Sequence, residues 1–192
     1  MFKTLGLCAA VLLAACHGSP KWHLDNVAHI VAPLKFSLQS SAGGTVTAAN
    51  FRGKVTLLYF GYTHCPDVCP TTLAKLAGVL RQLGPAADGV RVLFVTVDPV
   101  RDTLPMLRTY VDAFDARHFV GLRGDAHATA GIARRYRIGY TLGKPDAAGN
   151  YAVSHSSAVF IFDRNGDARL LGTETTPSAD FVDDLRRLLR TS

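Results

Sequence analysis

Apolar and polar positions change rhythm several times along this chain, and each change marks an element. Val55-Thr56-Leu57-Leu58-Tyr59-Phe60 is a continuous apolar run of strand length, β-branched and aromatic in content, and predicts a strand over 54–62 covered on both faces. Leu73, Leu76, Ala77 and Leu80 then recur at helical spacing, predicting a helix that opens after Pro70 and stops near Leu83-Gly84-Pro85. A second buried strand follows over 90–97, then a helix over 103–114, a strand over 118–122 and a helix over 125–136. Alternation of this kind is βαβ logic around parallel strands. Ahead of it, residues 34–40 and 46–48 flank Gly43-Gly44 and predict a hairpin; behind it, 157–163 and 169–171 flank Asn165-Gly166, and a last helix covers 177–190. Asp180, Asp183 and Asp184 fall early in that helix and its arginines late, which suits the helix dipole. A strand running into the pair Cys65 and Cys69 at a helix start, followed by βα alternation and a terminal hairpin plus helix, makes the expected fold α/β and thioredoxin-like, with a mainly parallel central sheet and an N-terminal β-hairpin extension.

The first residues follow another pattern. Lys3, an apolar run over 5–13 and the small pair Ala14-Ala15 have the layout of a secretory signal over 1–15. The run is far shorter than the roughly 20 residues a membrane-spanning helix needs. Leu13-Ala14-Ala15-Cys16 resembles a bacterial lipobox, which makes Cys16 the expected lipidation site; an ordinary signal cut after Ala15 is the alternative, and both export the chain. Residues 16–33 lack periodicity and are expected to be a lipid-anchored tether, with the folded domain over 34–192. His17, His23 and His29 in that stretch lack ligand spacing and are read as solvated.

Composition changes this picture little. The chain's 192 residues, 48% hydrophobic and 19% charged, suit one packed domain. The formal charge of +6 becomes +5 once Lys3 is removed, 20 basic against 15 acidic side chains, and no basic run is present. Nucleic acid is therefore not an expected partner.

Cysteine usage changes it a great deal. Of four cysteines, Cys8 goes with the signal and Cys16 with the lipid, leaving Cys65 and Cys69 in the domain. A structural disulfide is the ordinary reading in an oxidising compartment. A bridge closing so short a loop restricts the unfolded chain little, however, so chemistry is the better reason for the pair. Each cysteine precedes a proline, and Pro70 suits a first helical position, which makes Cys69 the expected N-cap and its thiol a candidate for a lowered pKa. Two thiolates and a neutral imidazole form a soft donor set that suits copper, accepts zinc and excludes magnesium or calcium. Among seven histidines, His155 follows a loop over 149–154 that feeds a central-looking strand and, in a thioredoxin-like layout, faces the cysteine turn. His64 is the weaker candidate because neighbouring side chains on an extended chain diverge. Asp98, at the end of its strand, is either a cap or a residue supporting the site from behind.

Three segments in order, Gly61-Tyr62-Thr63-His64-Cys65-Pro66-Asp67-Val68-Cys69-Pro70, then Val97-Asp98-Pro99 with Arg101-Asp102-Thr103, then Ser154-His155-Ser156 ahead of Val159-Phe160-Ile161-Phe162-Asp163, resemble the Sco/SenC family. The likeness covers about 34–190. It implies copper held by Cys65, Cys69 and His155, and a part in assembling the binuclear copper centre of cytochrome c oxidase. The copper-site subunit of that oxidase becomes the expected partner, with a periplasmic copper donor or thiol reductant beside it. The location expected is the periplasmic side of a bacterial membrane, anchored through Cys16. Against a metallochaperone stands a thiol-disulfide oxidoreductase using Cys65 and Cys69 on a partner's cysteines. A peroxidase is a third reading without its cysteine pattern. Three residues between the cysteines and a facing histidine, instead of two residues and a facing proline, favour metal.

Overall fold

The computed structural model of the protein describes residues 21–147 and 150–191. The signal over 1–15, Cys16 and His17 lie outside the described residues. Strand β4 (Val55–Gly61) is buried at every position and forms the spine of the molecule. On one side it pairs in parallel with β5 (Val90–Thr96), which pairs in parallel with β6 (Phe119–Arg123). On the other it pairs antiparallel with β9 (Val159–Phe162), followed by β10 (Ala168–Gly172). The expected hairpin is present as β2 (Ser37–Ser40) and β3 (Thr45–Thr47), with β2 adding antiparallel to β6.

The sheet is thus mixed, and among the described strands only β4, β5 and β6 pair in parallel. The physical reason lies after α3 (Ala126–Arg135), where the chain forms a separate hairpin of β7 (Tyr140–Leu142) and β8 (Val153–His155). It thereby re-enters the sheet at the end where β4 leaves it, so β9 has to run against β4. Alternation along β4 feeds two cores: Tyr59 packs toward Phe94 on one face, while Phe60 packs toward Tyr136, just past α3, on the other.

Helices α1 (Val68–Leu83), α2 (Leu104–Asp115) and α4 (Ser178–Thr191) complete the expected set. Thr103 caps α2 through a bond from the Met106 N–H, and Asp125 caps α3 through a bond from the Ala128 N–H at 2.7 Å. The expected stop of α1 at Gly84-Pro85 is a 3-10 turn over Gly84–Gly89. The segment read as a tether differs from expectation in its described part. Leu24 is buried, β1 (Asp25–Asn26) pairs with Leu171 and Leu170 of β10, and the N–H groups of His23 and Leu24 both reach Asp184. A two-residue polar strand carries no periodicity, which is why the sequence conceals it.

Candidate metal centre

The cysteine loop joins the C-terminal end of β4 to the N-terminal end of α1. Gly61 ends the strand because nothing larger fits: a Cβ there would stand 2.8 Å from Cys69 Sγ and 2.7 Å from Phe94 Cε2. Asp67 is the N-cap of α1, so Cys69 lies inside the first turn and is helical, and the expectation of Cys69 as N-cap is corrected. Pro70, third in the helix, costs no hydrogen bond, because the first four helical N–H groups have no intrahelical partner in any case. Asp102 pins the loop from below. This fully buried carboxylate accepts from the Thr63 N–H at 3.0 Å, from Thr63 Oγ1 at 2.6 Å and from Thr96 Oγ1 at 2.6 Å.

The structure brings the three expected ligand residues together. His155, at the end of β8 and not in a loop, places Nε2 3.1 Å from Cys69 Sγ. The Cys69 N–H points at Cys65 Sγ, 3.4 Å away. One donor atom from each of Cys65, Cys69 and His155 lies within 4.8 Å of the others, and both thiols are free. The Ser156 carbonyl is 3.0 Å from His155 Nδ1, and a carbonyl can only accept, so Nδ1 carries the proton and Nε2 turns its lone pair toward the sulfurs. Tyr59 and Tyr62 flank the imidazole edge-on, with ring centroids 6.2 and 5.8 Å away.

Burial pushes the Cys69 thiol up to about 12, outweighing a hydrogen bond with the Tyr62 backbone that lowers it. The expected lowering at the helix terminus is therefore overturned for Cys69: desolvation wins, and the neutral S–H donates to His155 Nε2. Burial also raises Tyr59, and the neighbouring Cys69 adds to the shift.

Asp98 touches none of the three ligands. It is buried, accepts from Tyr151 Oη at 2.6 Å and pairs with Arg101. Arg101 in turn donates to the Tyr151 carbonyl at 3.0 Å and stacks on the Tyr151 ring, with its Cζ 3.6 Å from the centroid. Two residues beyond Tyr151 begins the strand that ends in His155, so this network holds the histidine arm against the end of β5. His64 is turned away, half-exposed, with Nδ1 3.1 Å from Thr63 Oγ1. Tyr59, Tyr62, Asp102 and Tyr151 carry no spacing signal for these roles; only the adjacency of Asp102 to the Asp98 segment hinted at one of them.

A buried sulfur, a half-buried sulfur and an imidazole lone pair make an S₂N donor set for a soft metal. Comparison with known proteins then places the chain. The SCO1/SenC family model matches residues 27–190. The chain belongs to the SCO1/SenC family. Among SCO relatives, the mitochondrial SCO2 homolog of Bos taurus is 40% identical over 154 residues, 79% of this chain and 58% of that protein. The chain spans about half the length of several such relatives, 52% for the mouse protein and 50% for the human one. The ScoI structure of Bradyrhizobium japonicum with copper bound is 36% identical with a TM-score of 0.74, covering 82% of this chain and 99% of that one. ScoI of Arabidopsis thaliana, also with copper bound, is 31% identical with a TM-score of 0.75, covering 83% and 99%.

Proposed function

We propose that this SCO1/SenC protein is a copper metallochaperone: it carries copper on Cys65 Sγ, Cys69 Sγ and His155 Nε2 and delivers it to, or prepares, the binuclear copper site of cytochrome c oxidase. The observation that carries the proposal is the convergence of these three donor atoms within 4.8 Å on residues from two separated elements. Copper is cargo in this reading, not a resident cofactor. On loading, the metal takes the place of the Cys69 proton that faces His155 Nε2, and the ring stays oriented by the contact of Nδ1 with the Ser156 carbonyl. Cys65, the more exposed sulfur, is the one a partner's thiolate reaches first, so transfer proceeds by ligand exchange from that side while Cys69 and His155 keep hold. Asp98 acts at one remove, by fixing the arm that presents His155. The chain's first residues support export and lipid attachment at Cys16 on the periplasmic side of a bacterial membrane, which puts the carrier in the compartment where an oxidase copper subunit is loaded.

The second reading, a thiol-disulfide oxidoreductase acting on a partner's cysteines, is favoured by one feature: one sulfur is accessible and the other is buried behind it, as attacking and resolving thiols are. A competition titration of the reduced protein with a chromophoric Cu(I) chelator separates the two. The metallochaperone binds one copper, and His155→Ala weakens binding on the order of a hundredfold with the circular dichroism unchanged. Unaltered affinity in that variant rejects the ligand set, and insulin reduction at a thioredoxin-like rate moves the oxidoreductase to first place.

A further inference from the structure

Helix α4 carries its acids first and its arginines last, and the structure spends the two groups differently. Asp184 Oδ2 accepts from the N–H groups of His23 and Leu24 at 2.9 Å each, and Asp180 lies 3.9 Å from His23, so the acids hold the N-terminal segment. The cations gather at the other end. Arg186 joins α4 to the last turn of α1 by donating to the Gln82 carbonyl at 2.9 Å, and Arg164 donates to the Leu189 carbonyl at 2.9 Å. Arg187 donates to the Lys21 carbonyl at 2.7 Å and lies over the ring of Trp22, 5.2 Å from its centroid. Lys21, Arg81, Arg164, Arg186, Arg187 and Arg190 therefore share one end of the molecule. Among the described residues only Arg186 of these six has a carboxylate within ion-pair reach, Asp183 at 3.9 Å. Lys21, Arg81 and Arg190 are exposed. Cations at a helix C-terminus complement its dipole, but the C-termini of α1 and α4 supply only about half a negative charge each. That leaves most of the six charges facing solvent.

Chain geometry says what they face. Cys16 precedes Lys21 by five residues, and at 3.3–3.6 Å per residue these reach at most about 18 Å. A lipid on Cys16 thus keeps Lys21, and the end of the molecule around it, close to the bilayer. Cys69 lies in the first turn of α1 and Arg81 in its last, which at 1.5 Å per residue separates them by about 18 Å along the axis.

We propose that this basic end, Lys21 with the last turns of α1 and α4, is a contact surface for anionic phospholipid headgroups, and that it holds the cysteine pair at the opposite end of α1, turned away from the membrane. The proposal rests on the lipid-anchor reading of Cys16 and adds an orientation to it. A carrier so held offers its cargo at a fixed height above the headgroups and not to the surface itself.

Trp22 is the chain's single tryptophan and sits in this patch, so it serves as the probe. The lipidated full chain is reconstituted on vesicles of phosphatidylcholine, or of phosphatidylcholine with phosphatidylglycerol, each carrying a headgroup nitroxide. Quenching of Trp22 is expected to be stronger on the anionic vesicles. It should fall to the neutral level at high salt, where screening is short-ranged, and in the triple variant K21Q/R81Q/R190Q, which leaves the Arg187–Trp22 contact and the cysteine site untouched. At about fivefold per charge near an anionic surface, the three substitutions weaken the attraction on the order of a hundredfold. Equal quenching on the two kinds of vesicle, or quenching indifferent to the triple variant, overturns the proposal. Retention on neutral vesicles, and its loss in Cys16→Ala, reads the anchor separately. If the wild-type chain is not retained there, the anchor reading fails, while the comparison on anionic vesicles still decides the patch.

Discussion

Burial pushes the Cys69 thiol up to about 12, so copper must displace a proton to reach the sulfur, which sits beside Gly61. The sign follows directly: below that pKa the apo site is protonated, loading releases the proton, and affinity rises with pH. Between pH 6 and 9 we expect log K for Cu(I) to climb by at least about one per pH unit, measured by chelator competition at fixed ionic strength; a flat profile would mean that Cys69 is already a thiolate. The same tight contact makes Gly61→Ala a direct probe of packing. Its Cβ would meet Cys69 Sγ at 2.8 Å, and overpacking of this kind costs about 1–3 kcal/mol. Denaturant unfolding should show that loss, and copper affinity should drop with it. At this scale the sequence was legible for the cysteine pair, and the family resemblance singled out His155 among seven histidines; the structure brings the three side chains together. Whether burial or the helix terminus governs the Cys69 thiol was not legible, because burial is set by residues far away in the chain.

Between residue and fold, the arm bearing His155 is the decisive element. It reads in the sequence as a loop over 149–154, yet Val153 and Ser154 pair with Leu142 and Thr141 in the β7–β8 hairpin, with His155 opposite Tyr140. What holds that hairpin to the rest of the site is the Asp98–Arg101–Tyr151 network. Asp98→Asn keeps the shape and removes the charge that anchors Arg101. We expect copper affinity to fall about tenfold, as for residues that orient a ligand from behind, with the far-ultraviolet circular dichroism unchanged. An unaffected affinity would confine Asp98 to capping. The long helices and buried strands were readable because their periodicity is local. The direction of β9 was not, since it depends on where the arm returns the chain.

For the whole molecule, the N-terminal segment acts as a clasp across β10 and α4. Asp184 accepts two backbone N–H groups there, so Asp184→Ala leaves both without a partner. It should cost about 2 kcal/mol, seen as a lower denaturation midpoint and faster amide exchange at Leu24. Wild-type exchange at that amide in both proteins would disprove the clasp. This contact joins residues some 160 apart, and neither partner announces the other; the sequence pattern of a tether is accurate for composition and silent about docking. X-ray absorption at the copper edge on the Cu(I)-loaded protein, beside His155→Ala, shows whether two sulfurs and one imidazole nitrogen hold the same copper ion. Two sulfur scatterers and one nitrogen are expected in the wild type, with the nitrogen lost in the variant. A first shell with fewer than two sulfurs, or one that the variant leaves unchanged, contradicts that ligand set.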